Sequence, residues 1–523
     1  MKLPGAWLML AFGVAGPLWA GAAEDAQLLS AAAAQDPETA LYALQQGADP
    51  KAREVDGTTA LHYAAHHGMA GLVAALLKAK ADPNARNDYG ATPLAEAAEI
   101  GDAPVIGLLL KGGVDIESRS PEGQTALMAV ARAGKIDAAK LLLKAGADVN
   151  AREAWAGQSA LMWASAQGQA DMVKLLIAHH ADVNARGAIR DWQRRLTAEP
   201  RPKGMNRGGF TPLLYAARDG CVECAKALVA GHADLNLADP ERTSPLLLAL
   251  LNFHFDLAAA LIRAGADVDM WDLYGQSPLY VAIDMNTLPR GGRPDLPSED
   301  ALSGLDVARL LLDAGANPNL QLKLRPPYRN YIFDRGGDQV LSTGATALMR
   351  AAKGGDAEAV KLLLAHKALV DLPSEEGITP LMVAAGMGHG ANPTRGRYKT
   401  DADAVECVRL LEAAGAGING RNRTKQTALH SAAAHGWSET VKFLVAKGAE
   451  LEAEEAQGLT PIDYAAGRYS RAFLEPEPKN WAETVSLLRG YIVATTGRDP
   501  KESKGPRPAQ TRGTAGTEQA QAR

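Results

Sequence analysis

Few residues in this 523-residue chain have the types and spacing of a reaction centre. Cys221-Val222-Glu223-Cys224 is a CxxC pair, the spacing of thiol–disulfide chemistry and of half a zinc site. Zinc would need a second such pair, and only Cys407 remains. Cys224 and Cys407 stand where comparable segments carry Val or Ala, so both read as small buried apolar residues. A Cys221–Cys224 disulfide stays open for an oxidising compartment. His62 and His66 are four apart with His67 beside them, a spacing that can turn two imidazoles to one helix face. Neither a carboxylate nor a cysteine close in sequence completes a metal set. His179-His180 ends a helical segment, where the helix dipole favours such groups. Nucleotide loops, serine elbows and zinc-protease spacings do not occur in the sequence. The expectation is no catalytic residue, no metal, no cofactor and no enzymatic activity.

Two stretches offer binding instead. Residues 187–207 (GAIRDWQRRLTAEPRPKGMNR) set Trp192, Arg194 and Arg195 among further cations. Residues 321–341 (QLKLRPPYRNYIFDRGGDQVL) set Arg325, Tyr328, Arg329 and Tyr331 together. Arg, Tyr and Trp are the side chains that most often anchor interfaces. An excess of positive charge there favours a protein partner with an acidic patch. The whole chain is only slightly acidic, at a net charge of −5, which excludes the basic surface of a general nucleic-acid binder.

The elements that position these residues come from a repeat. GTTALHYAA (57–65), GATPLAEAA (90–98), GQTALMAVA (123–131) and GFTPLLYAA (209–217) are four of eleven copies. The Leu of each copy falls at 61, 94, 127, 161, 213, 246, 279, 348, 381 and 429, with Ile462 last. The underlying period is 33 residues, lengthened at some steps. Within a copy, Thr or Ser can cap a helix and Pro suits its first turn. The Leu-x-x-Ala-Ala stretch places small apolar residues on one face, and a Gly ends the helix. A second helix follows, as in Val173-Lys174-Leu175-Leu176, and closes on Gly-Ala-Asp before a turn.

The period, the T-P-L-H-like motif and the Gly-Ala-Asp-Val-Asn ending resemble the ankyrin repeat. That resemblance implies an all-α repeat solenoid of stacked helix–turn–helix units with short β-hairpin fingers. It covers residues 25–493, about twelve units with a degenerate first one over 25–55. It implies protein–protein binding through a concave first-helix face and finger tips. The candidate anchors in fingers are then Tyr89, Trp155, Trp192, Phe210, Trp271, Tyr274, Tyr328 and Tyr331, with Arg194, Arg195, Arg325 and Arg329. Both long stretches, 187–207 and 321–341, are finger insertions; others near 286–304, 390–404 and 468–480 separate the two helices of a unit.

The ends read differently. Lys2, the apolar run 6–15 and Ala20-Gly21-Ala22 form a signal-peptide pattern over residues 1–22, with cleavage near Ala22. A periplasmic or secreted monomer without a membrane span is expected. Residues 495–523 lack apolar side chains and read as a disordered tail. Other readings are a secreted effector binding host proteins and a metal- or ligand-binding accessory of an envelope enzyme.

Overall fold

The computed structural model describes residues 20–190, 208–286, 300–324, 340–389, 399–470, 476 and 478–501. Among them are 24 helices in twelve pairs. The first six pairs are α1 (Ala20–Ala33) with α2 (Pro37–Gln45), α3 (Ala60–His66) with α4 (Ala70–Lys78), α5 (Pro93–Ile100) with α6 (Ala103–Lys111), α7 (Ala126–Arg132) with α8 (Ile136–Lys144), α9 (Ala160–Ala166) with α10 (Ala170–Ala178), and α11 (Pro212–Asp219) with α12 (Val222–Ala230). The other six are α13 (Pro245–Leu251) with α14 (Phe255–Arg263), α15 (Pro278–Asn286) with α16 (Gly304–Asp313), α17 (Ala347–Gly354) with α18 (Ala357–Ala365), α19 (Pro380–Ala384) with α20 (Asp401–Ala413), α21 (Ala428–His435) with α22 (Ser438–Ala446), and α23 (Pro461–Ala465) with α24 (Ala482–Thr496). The chain divides into two compact units: the first holds α1–α12 and the second, from Leu235 onward, α13–α24.

Within each unit every first helix packs on the next first helix, as α3 on α5 and α21 on α23. The cause is the repeated apolar stripe. Leu61, Leu94, Leu127, Leu161 and Leu213 are essentially fully buried, as are Val73, Val105, Val173, Leu76, Leu109, Leu142 and Leu176 from the second helices. A lone pair could not cover these faces, so each pair is stable only with neighbours.

The helix signals act as expected. Thr92 and Thr211 accept the amides of Ala95 and Leu214, each at 3.2 Å, and a Pro follows each. Such caps contribute about 1 kcal/mol each. Gly101 and Gly220 end α5 and α11 in the left-handed region, at φ 74° and 78°. The His of the T-P-L-H-like motif ties units together. His62 Nδ1 accepts from the Thr59 hydroxyl at 2.8 Å, and its Nε2 faces the Ala91 carbonyl of the next unit at 3.1 Å. His430 repeats this with Thr427 at 2.9 Å and the Leu459 carbonyl at 3.3 Å.

The expected hairpin fingers are reduced to tight turns. Among the described residues, strand pairing is confined to three isolated antiparallel bridges: Arg53 with Thr59, Ile189 with Gly208, and Gln321 with Thr346. Side chains do the work of a ladder. Asn87 accepts the Ala91 amide at 2.9 Å, and Asp272 accepts those of Tyr274 and Gln276, both at 2.9 Å. Desolvation raises the Asp272 carboxyl to about 6.

Helix α24 continues to Thr496, past the expected boundary at 493, until Gly497 at φ 71° stops it. Residues 1–19 of the expected leader and residues 502–523 of the expected tail lie outside the described residues. Helix α1 begins at Ala20, so the expected cleavage site near Ala22 falls in its first turn.

Candidate functional site

In the first unit the fingers are locked into a series by arginines one period apart. Each guanidinium donates to the carbonyl of the next: Arg53 to Arg86 at 3.0 Å, Arg86 to Arg119 at 3.1 Å, Arg119 to Arg152 at 2.6 Å and Arg152 to Arg186 at 2.6 Å. Asparagines of the Asp-Val-Asn endings add a second row. Asn150 accepts the Asp182 amide at 2.7 Å, and Asn184 accepts that of Asp234 at 2.8 Å. The finger positions are thereby fixed relative to the helices beneath them.

On this frame Tyr89 and Trp155 stand out into solvent, 68 % and 75 % exposed. Val55 and Ile189 are exposed on neighbouring fingers. Arg190 holds the Trp155 ring in place from 4.5 Å and donates to the Trp155 carbonyl at 2.6 Å. Both side chains stand exposed on fingers, as the sequence leads one to expect.

Phe210 does not. It is 5 % exposed and meets Tyr215 edge-on at 5.4 Å. Its position precedes the helix-capping Thr, where the side chain turns inward; Ile378 and Leu459 at the same place are buried too. Trp271 is only half-exposed, with the Arg242 guanidinium 4.1 Å and the Lys323 ammonium 3.2 Å from its ring centre. Tyr274 is half-buried, and its carbonyl accepts the amides of Lys323 and Leu324 at 2.9 and 3.0 Å. Trp192, Arg194, Arg195, Arg325, Tyr328, Arg329 and Tyr331 lie outside the described residues. The necks of both finger insertions are described. The Gly187 amide meets the Phe210 carbonyl at 3.0 Å, and the Leu322 amide meets that of Ala345 at 2.9 Å.

A second set of side chains was not singled out from sequence. Two residues after the marker Leu of each first helix, the first unit presents Tyr63, Glu96, Trp163 and Tyr215, all half-buried. The Tyr63 hydroxyl donates to Glu54 at 3.0 Å; burial, then this bond, pushes its pKa up to about 12. His66 meets Glu96 at 2.8 Å and Arg132 meets Glu99 at 2.6 Å. Arg132 lies 5.6 Å from the Trp163 ring centre, and Gln158 donates to the Tyr215 hydroxyl. The result is an accessible face of rings and paired charges, beside the finger tips. Sequence could have shown it, since this position runs through Tyr63, Glu96, Ala129, Trp163 and Tyr215 between a constant Leu and the small residues that follow.

The matching positions of the second unit are mostly closed. Val281, Arg350, Val383, Ser431 and Tyr464 are buried there, and only Leu248 is half-exposed. Arg350 pairs with buried Asp284, and Tyr464 stacks on Tyr469 with ring centres 4.6 Å apart. Lys399 is also buried, its ammonium donating to the carbonyls of Ala352, Val383 and Ala384 at 3.3, 2.8 and 3.0 Å. Burial pushes its pKa down to about 7. The expectation of one first-helix surface along all the repeats is therefore corrected: the open face belongs to the first unit.

Cys221 and Cys224 are joined in a disulfide. The sequence left this pairing open; Cys221 caps α12 and so lies beside Cys224 in its first turn. Cys407 is free and buried, and desolvation pushes its thiol up to about 12. Among the described residues no three His, Cys, Asp or Glu side chains gather as metal ligands. No helix among them is long and apolar enough to cross a membrane.

Known proteins carry the same repeat. A family model described as ankyrin repeats (3 copies) matches residues 28–120, 95–187, 213–322, 300–392 and 399–474. Human ankyrin repeat domain-containing protein 63 is 31 % identical over 134 residues, 25 % of this chain and 32 % of that protein. Chicken inversin is 32 % identical over 122 residues, 23 % of this chain and 10 % of inversin. The chicken nuclear factor NF-kappa-B p105 subunit is 33 % identical over 168 residues, 31 % of this chain and 14 % of that protein. The chain thus spans a third or less of the length of these relatives. With the family model recurring from residue 28 to residue 474 over helix pairs built on one 33-residue plan, this chain belongs to the ankyrin repeat family.

Proposed function

We propose that the chain is an exported scaffold that holds another protein against the first unit, across its first-helix face and finger tips. Ankyrin repeats generally mediate protein–protein interaction, which sets the class. The observation that carries the placement is the accessible row Tyr63, Trp163 and Tyr215 beside exposed Tyr89 and Trp155. Rings of this kind on a rigid frame desolvate much area at small entropic cost. The basic residues of the 187–207 stretch favour a partner with an acidic patch. Export rests on Lys2, the apolar run 6–15 and Ala20-Gly21-Ala22.

The test compares the wild-type chain with W163A/Y215A and with W155A in affinity capture from the envelope fraction of the producing cell. Recovery of one specific protein should fall at least ~10-fold for W163A/Y215A, the scale of two interface aromatics, while circular dichroism stays unchanged. Equal recovery by all three proteins would remove this face from the account. A chain found only in the cytosol, with its leader uncut, would remove the export.

A further inference from the structure

The Cys221–Cys224 disulfide has no part in the surface just described. Cys221 is half-exposed, whereas Cys224 has no accessible surface. The Cys224 sulfur is therefore closed to an incoming thiolate, and Cys221 is the member of the pair that meets solvent. Cys221 is also the cap of α12, and its sulfur accepts the Cys224 amide at 3.1 Å.

The same place in two other units is held by an anion. After the Gly that ends the first helix, Asp102 caps α6 and accepts the Val105 amide at 2.9 Å. Asp356 caps α18 and accepts the Ala359 amide at 3.0 Å. The fold thus accommodates a negative charge at this position, facing first-turn amides and the positive end of a helix. A thiolate at Cys221 would occupy the site of those carboxylates. Nearby side-chain charges are paired: Glu223 with Lys226 on α12, Asp171 with Lys174 on α10, and Arg218 with Asp219 on α11. The helix amides, not an excess of lysines, are what would hold it.

We infer that Cys221–Cys224 is a thiol–disulfide exchange site, with Cys221 the attacked sulfur and a dithiol as its co-reactant. A thiolate of the dithiol attacks Cys221 Sγ. The intramolecular S–S bond breaks, and its electron pair leaves on Cys224 Sγ, which takes up a proton. The second thiol of the dithiol, as thiolate, then attacks its own sulfur in the mixed disulfide and releases Cys221 as a thiolate. Two electrons and one proton pass to the pair, which ends as a Cys221 thiolate and a Cys224 thiol, while the dithiol becomes a disulfide and releases its other proton to solvent. The reverse sequence, run by a disulfide oxidant, restores the bond. Facing the first-turn amides of α12, the Cys221 thiolate is held by them as it leaves in the second step.

The test incubates the folded full chain with dithiothreitol, quenches with iodoacetamide and maps labelled peptides by mass spectrometry. Cys221 should be labelled at least ~10-fold faster than buried Cys407, the contrast expected between a helix-capping thiol and an apolar one. Removing the reductant and adding oxidised glutathione should restore the disulfide. In C224S, oxidised glutathione alone should trap a glutathione adduct on Cys221; in C221S none should form on Cys224. A pair that stays oxidised until urea unfolds the chain, or an adduct on Cys224, would overturn the inference. Should C224S fail to fold, the labelling order in the wild-type chain still decides it.

Discussion

His430 makes stability depend on pH in a window that can be worked out from its surroundings. The ring is fully buried, its Nδ1 accepts from Thr427 and its Nε2 donates to the Leu459 carbonyl. Only the first bond needs the neutral ring; the second favours the charged form and is outweighed by burial. Burial is the largest cause that moves its pKa from the ordinary 6.5 down to about 4. The folded value lies below the unfolded one, so the contribution is full above pH 6.5 and is lost as pH falls toward 4. Linkage between those two values gives a loss of about 2 kcal/mol between pH ~7.5 and pH ~5. Urea unfolding of wild type and H430Q, followed by circular dichroism at both pH values, isolates this share. H430Q should be the less stable protein near neutrality, and the gap should shrink by about 2 kcal/mol at the lower pH. A gap that is the same at both would refute the neutral, buried ring. Carbon-13 labelled histidine gives a direct check: the His430 resonance should not titrate until below pH ~5.

Other outcomes follow from single contacts. Gly344 has φ +86°, and a Cβ there would lie 2.7 Å from the Glu375 nitrogen and 2.8 Å from the Ser374 Cα. Gly448 has φ +88° with nothing within 4 Å. G448A should cost about 1–2 kcal/mol for the left-handed backbone alone, and G344A clearly more, in urea midpoints; equal losses would discount the close approach. Breaking the buried Asp284–Arg350 pair with D284A should cost about 3–5 kcal/mol, whereas D284L/R350M should recover most of it. A double variant as unstable as D284A would show that packing cannot replace the charges.

Much of the fold was legible because its instructions are local. Thr92-Pro93, Gly101 and the apolar stripe from Val105 to Leu109 each act within a turn or two of the chain. The site was less so. Tyr89 and Trp155 could be placed because a finger tip has no neighbour to bury it. Phe210 was misplaced because its inward turn is set by the cap that follows, although Ile378 and Leu459 carry the same signal. The covering of Trp271 depends on Arg242 and Lys323, one 29 residues before it and the other 52 after, and no local pattern links them. The closing of the first-helix row in the second unit depends likewise on Asp284 meeting Arg350 across 66 residues. The Cys221–Cys224 bond needed the knowledge that Cys221 is a cap rather than a turn residue.

The arginine series sets where this chain can grow. Residues 187–207 begin immediately after Arg186, whose carbonyl receives the last guanidinium of the row. Gln321 takes the arginine place in its own unit, donating to the carbonyls of Gly344 and Pro373 at 2.8 and 3.0 Å, and there too the added residues follow it. Extra length placed outboard of these bridges leaves the spacing of the units untouched; the same length placed inboard would pull each guanidinium off its carbonyl. The bridges thus act as a fence, behind which the scaffold keeps its pitch while the tips are free to diversify.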